Sequence, residues 1–218
     1  HDTIDSGIQL TKTATAPQIL NNVILGNLYG VDIHGAHEAL VSGNRIEGRL
    51  DRHVNRRGNG VYVWNAPGAI VEKNDIRFGR DGIFVNSSRR NIFRDNLFRD
   101  LRFAVHYMYA DDSEVTGNVS IGNDLGYAVM FSTNVKVSNN ASINDREHGI
   151  ALNYTNKGEI SGNYVVSAKE KCSFLYNSHK NLFENNWFEG CSIGIHFTAG
   201  SKNNDIVGNA FIGNRTQV

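Results

Sequence analysis

Hydrophobic and polar residues alternate along this chain in short runs that close on an asparagine. Asn22, Asn44, Asn74, Asn96, Asn118, Asn140, Asn163, Asn186 and Asn209 are separated by 22, 30, 22, 22, 22, 23, 23 and 23 residues. A fixed period of this size marks a solenoid built from one repeated unit. The excess of the one long interval lies in a polar stretch, residues 48–58 (GRLDRHVNRRG), which reads as an inserted loop. About eight residues after each Asn a small residue opens an alternating run, as in Gly82-Ile-Phe-Val-Asn and Gly126-Tyr-Ala-Val-Met. Shorter segments lead into the Asn (Glu114-Val-Thr-Gly-Asn) and out of it (Asn74-Asp-Ile-Arg). Period-two alternation rich in Val, Ile, Phe and Tyr means strands, and no window carries a helical stripe.

Three strands per coil of about 22 residues predict an all-β fold, a right-handed, single-stranded parallel β-helix spanning residues 1–218 as one solenoid. Successive coils stack at about 4.8 Å, so equivalent residues stand directly above one another. The asparagines then form an inward ladder that bonds its own amides and the backbone.

The alternation sorts the first strand of each coil into two faces. Val31/Ile33, Val61/Val63, Ile83/Val85, Val105/Tyr107, Tyr127/Val129, Ile150/Leu152, Ser173/Leu175 and Ile195/Phe197 point inward. Asp32/His34, Tyr62/Trp64, Phe84/Asn86, His106/Met108, Ala128/Met130, Ala151/Asn153, Phe174/Tyr176 and His196/Thr198 point outward. A bare outer face would carry Thr, Ser, Lys and Asn. This one carries aromatics, histidines and methionines, and an exposed apolar row marks a binding site unless another part of the chain covers it. The strand after the Asn raises a different question. It carries Val119/Ile121, Ala141/Ile143, Tyr164/Val166 and Ala210/Ile212 where earlier coils have Arg45/Glu47 and Asp75/Arg77. Ser120 and Ser142 between them favour a shift of register that turns the apolar residues inward; otherwise the rod bears an exposed apolar band.

Charge removes some partners. Twenty-two basic residues balance 22 acidic ones among 218, so no global field draws the chain to nucleic acid or membrane. Arg45–Arg102 is locally basic, either a solvated flank or a docking surface for an acidic partner. There is no apolar run of membrane-spanning length and no signal peptide. The chain opens on His1 inside a repeat and closes inside one at Val218; solenoids need capped ends, so a fragment or processed form of a longer protein is expected. Cys172 and Cys191 are the only cysteines. In the repeat register Cys172 lies over Gly194, so a disulfide needs a turn that brings Cys191 closer, and the spacing is no zinc signature.

Met108 and Met130 are the only methionines, 22 residues apart, and share an outward position. His106 is on the same face, two residues and about 7 Å before Met108. Two thioethers and an imidazole form a ligand set for a soft ion, best Cu(I); the plainer alternative is two methionines packed on an aromatic neighbour. His148 is a possible additional ligand. His34 and His196 lie several coils away and, with His1, His37, His53 and His179, read as isolated surface histidines. Carboxylate-pair chemistry finds little: Asp81, Asp100, Asp111, Asp112, Asp124 and Asp145 fall mostly at turns, where Asp is expected. No nucleophile elbow, Ser-His-Asp set or phosphate loop is present.

The strings Gly60-Val-Tyr-Val-Trp-Asn-Ala-Pro-Gly-Ala, Arg80-Asp-Gly-Ile-Phe-Val-Asn, Leu101-Arg-Phe-Ala-Val-His-Tyr-Met-Tyr and Leu125-Gly-Tyr-Ala-Val-Met-Phe-Ser resemble the NosD family, periplasmic β-helix proteins needed to mature nitrous-oxide reductase. The resemblance implies a non-enzymatic periplasmic protein that works with an ABC-type ATPase and permease, receives Cu(I) from a copper chaperone and supplies the copper centre of nitrous-oxide reductase. It brings no mapped copper site; His106, Met108 and Met130 come from the stacking argument. The alternative is a carbohydrate-binding or carbohydrate-cleaving β-helix, with Tyr62, Trp64, Phe84, Phe174 and Tyr176 as stacking platforms along the outward stripe.

Overall fold

The computed structural model describes residues 6–218; His1 lies outside them. The repeat becomes 27 short strands in three parallel nine-stranded sheets, each sheet taking every third strand. This is the expected right-handed parallel β-solenoid of about nine coils. Among the described residues the one helical element is a 3-10 turn, Val54–Arg56, in the loop inserted at 48–58.

The asparagine ladder is continuous from Asn22 to Asn209. Each Nδ2 donates to the next Asn's Oδ1, at 2.9 Å from Asn74 to Asn96 and 3.0 Å from Asn96 to Asn118. The backbone N–H of each Asn donates to the same oxygen, and Nδ2 also reaches a carbonyl of the preceding coil, Val71 for Asn96. The ladder thus satisfies the donors and acceptors that a buried turn would otherwise strand.

Coils approach so closely at the start of the first-sheet strand that a side chain has little room. A Cβ on Gly30 would lie 2.5 Å from the Gly60 carbonyl oxygen and 2.4 Å from Ile46. Cys172 occupies this column, and its neighbours Lys171 and Ser173 pair with Ile193 and Ile195, so it stands over Gly194 as the repeat requires. It is nevertheless bonded to Cys191, with the Cα atoms 5.6 Å apart. Nineteen residues carry the chain around to the corner just before Gly194, and that corner sits beside the position Cys172 occupies one coil earlier.

The expected shift of register in the third sheet does not occur. Phe98, Ser120, Ser142 and Val165 stay in one inward column across four coils. Ser120 and Ser142 are fully buried, while Ile121 and Tyr164 are exposed. The cause lies opposite. Tyr127 fills the interior here, and its hydroxyl donates to the carbonyls of Asn118 and Ala141. Small serines leave room for that ring, and their hydroxyls donate to Asp145 at 2.7 and 2.6 Å. The third-sheet strands of two coils are therefore polar inside and apolar outside.

Four arginines of the basic flank pair with carboxylates of a neighbouring coil. Arg77 pairs with Glu47, Arg94 with Glu72, Arg99 with Asp75 and Arg102 with Asp81.

Candidate functional site

Four adjacent strands of the first sheet, Asp81–Asn86, Phe103–Met108, Leu125–Met130 and His148–Asn153, build the candidate site. Strict register makes three outward columns. Asp81, Phe103, Leu125 and His148 form the first; Phe84, His106, Ala128 and Ala151 the second; Asn86, Met108, Met130 and Asn153 the third. Met108 stands directly over Met130, as their spacing predicts. His106 is two residues before Met108 on the same face, above Ala128. Met130 packs on the small cluster of Leu125, Ala128 and Ala151 together with Phe103.

His106 is held from several sides. It is only 7 % exposed. Phe84 lies against its ring at 4.8 Å between centroids, and Phe103 meets it edge-on at 5.1 Å. Its Nδ1 is 3.2 Å from Oδ2 of Asp81, a carboxylate wholly shut from solvent. Arg102 donates to the same carboxylate through Nε at 2.8 Å and Nη2 at 2.6 Å, and Arg80 approaches at 3.7 Å. Burial pushes the Asp81 carboxyl up, but the hydrogen bonds and charges of His106 and Arg102 outweigh it and hold the group below its ordinary value. Arg102 Nη2 also comes within 3.4 Å of Nδ1, but the carboxylate oxygen is nearer, at 3.2 Å, and is the one acceptor of the two. Nδ1 therefore carries the proton and donates, and Nε2 keeps its lone pair. That Nε2 is buried with no hydrogen-bond partner.

His148 is not brought to this group. It stands two coils beyond His106 and one beyond Met130, roughly 10 and 5 Å further along the rod, but in the first column, between Leu125 and Lys171, whereas Met130 is in the third. Its ring lies against Phe174, and burial, with Lys171 beside it, lowers its proton affinity. Among the other histidines, His34 stacks on Trp64 at 4.1 Å, His196 lies against Phe174, His179 bonds Asn177 and His53 accepts from Asn55 in the inserted loop. The aromatic stripe is ordered as columns: Tyr62 stacks on Phe84 at 5.5 Å, and Tyr176 meets Tyr154 at 5.8 Å. Within the stripe, rings cover their neighbours' faces.

Two features were not read from the sequence. Asp81 was placed with the turn aspartates, whereas it opens a strand and faces His106. The corner after the methionines carries Tyr109, Phe131 and Tyr154, stacked at 5.1 Å and exposed. All three have φ near +50°, a costly conformation for a bulky side chain. Other coils put Gly35, Asn65, Ser87 or Asn177 at this corner. The available signal was their position, since Tyr109 follows Met108 and Phe131 follows Met130. None of the candidate ligands lines the neighbouring cavity of about 550 Å³ by Asn65, Ser87, Arg89, Tyr109 and Asp111. The two thioethers sit on an open face.

Residues 49–218 match the family described as Periplasmic copper-binding protein (NosD). A protein of Stutzerimonas stutzeri named probable ABC transporter binding protein NosD is 39% identical, covering 99% of this chain and 52% of its own. A Pseudomonas aeruginosa protein of the same name is 37% identical, covering 99% and 53%. The chain thus spans about half the length of the curated relatives it matches. Among solved structures, the α-1,3-glucanase catalytic unit of Streptomyces thermodiastaticus superposes with TM-score 0.68 at 14% identity, covering 94% of this chain and 46% of that one. DFA-IIIase of Arthrobacter chlorophenolicus gives 0.66 at 15%, covering 82% and 50%. At such identities the likeness is one of fold. No helix of the described residues is long and apolar enough to cross a membrane.

Proposed function

The chain belongs to the NosD family, and from that premise we propose that it carries Cu(I) in the periplasm on the outer face of its first sheet and passes it on for assembly of the copper centre of nitrous-oxide reductase. His106 Nε2, Met108 and Met130 hold the ion. The observation that supports this most is the buried, unpartnered Nε2 of His106, on the strand that carries Met108 and one rung from Met130. A carboxylate on the far nitrogen and a lone pair on the near one is the usual dress of a metal-ligating histidine. Two thioethers beside it favour a soft monovalent ion over Zn(II) or Mg(II).

Copper is cargo in this reading. Two or three neutral ligands on an open face let an incoming ligand reach the ion, and transfer proceeds by exchange. A copper chaperone supplies the ion, and an ABC-type permease and ATPase are the membrane partners; the relatives are named for an ABC transporter. The rod itself performs no catalysis. X-ray absorption of the anaerobically loaded protein tests the assignment: two sulfur scatterers and one nitrogen are expected, and a shell of nitrogen and oxygen alone would overturn it.

A further inference from the structure

Asp81 and Arg102 do different jobs for His106. We infer that Asp81 fixes the tautomer that leaves Nε2 open, while Arg102 limits how firmly that nitrogen holds an ion. The inference rests on the copper reading for its second half only.

The first half follows from counting donors and acceptors. Arg102 Nε takes one oxygen of Asp81; Arg102 Nη2 and His106 Nδ1 share the other. A carboxylate offers lone pairs to all three and no proton. Replace it with leucine, of similar size and with no polar atom, and the group left within reach of Nδ1 is Arg102 Nη2 at 3.4 Å, which can only donate. Nδ1 must then accept, the proton moves to Nε2, and the open nitrogen is closed.

The second half follows from charge. A carboxylate behind an imidazole makes the far nitrogen a better ligand. Here the carboxylate is itself cancelled by a guanidinium at 2.6 Å, with Arg80 nearby at 3.7 Å. Little negative potential therefore reaches an ion whose ligands are all neutral. A storage site would keep its carboxylate unopposed; a site that must give up its cargo gains from the arginine.

The two variants therefore move Cu(I) affinity in opposite directions, which a merely structural role for either residue would not do. Competition against a Cu(I) chelator without oxygen at pH 8.5, with release followed by stopped flow, should show Asp81→Leu weaker by roughly ten- to a hundredfold. Arg102→Gln should bind more tightly and release more slowly than the parent, and Arg102→Lys, which keeps the charge, should resemble the parent. In the metal-free protein, nitrogen-15 NMR of His106 should give the Nδ1–H tautomer in the parent and Nε2–H in Asp81→Leu. If the tautomer is unchanged in Asp81→Leu, or if Arg102→Gln weakens binding as Asp81→Leu does, the inference is overturned. Should the parent take up no Cu(I), the copper reading falls with the Arg102 role, while the NMR comparison still decides the role of Asp81.

Discussion

Asp81 and Asp145 are both cut off from solvent within one rod, but the first meets a guanidinium and an imidazole, and the second meets two serine hydroxyls and a backbone N–H. Asp81 faces the outside of the first sheet and is held ionised. Asp145 points into the core, where burial, opposed by hydrogen bonds from Ser142, Ser120 and the Asn123 N–H, pushes its carboxyl up to about 6. Hydrogen bonds from neutral donors do not replace a counter-charge once a carboxylate is desolvated. The outward carboxylate therefore orients the His106 imidazole. The inward one serves the packing of two coils whose third-sheet strands are polar inside and apolar outside.

The largest effect expected from breaking this contrast is on the outward member. Asp81→Ala leaves Arg102 without its counter-charge and His106 without its anchor. Because Arg102 is partly exposed, a loss of about 3 kcal/mol is expected, the low end for a broken buried pair, read by urea unfolding at pH 7.

The pH dependence of stability should separate the two carboxylates by sign. Asp145 holds its proton more tightly folded than unfolded, so its contribution is complete below the ordinary carboxylate value and is lost as pH rises through about 6. From 3.8 to about 6, that loss is at most about 3 kcal/mol. Asp81 does the reverse: its contribution is present above the ordinary carboxylate value and fades as pH falls through the acid range. Asp145→Asn should abolish the loss as pH rises from 3.8 to about 6 and leave the loss at lower pH unchanged. A slope that survives the substitution would show that another group carries it.

Ser142→Ala sharpens the same point. It removes the 2.6 Å bond to Asp145 and should cost about 1–2 kcal/mol above pH 6, less at pH 5, with the midpoint of the pH-dependent loss displaced upward. Met108→Leu lies at the bottom of the scale. It keeps volume and apolarity, so unfolding should move by less than about 1.5 kcal/mol, however large its effect on copper.

The solenoid was legible because the 22-residue period repeats with a single insertion, and the asparagines mark it without ambiguity. The stacking of Met108 on Met130, and of His106 on their face, was legible for the same reason. What escaped depends on contacts between coils that the period does not encode. Asp81 looks like a turn residue, and only the packing of Arg102 and His106 around it, 21 and 25 residues on, gives it a role. Ser120 and Ser142 suggested a slipped strand because their partners, Asp145 and the Tyr127 ring, come from other strands and corners. Cys172 and Cys191 meet because the corner just before Gly194 sits beside Cys172, a closeness that the repeat spacing alone does not convey. The aromatic corner at Tyr109, Phe131 and Tyr154 defeats propensity, since bulky residues seldom adopt left-handed backbone.

Cu(I) competition titration of the Met108→Leu/Met130→Leu protein against its parent, under anaerobic conditions, tests the central claim most directly. The account predicts a folded protein that has lost more than the roughly hundredfold in affinity that a change behind the ligands can cost. Parent-like affinity in the double variant would contradict it and place the copper elsewhere.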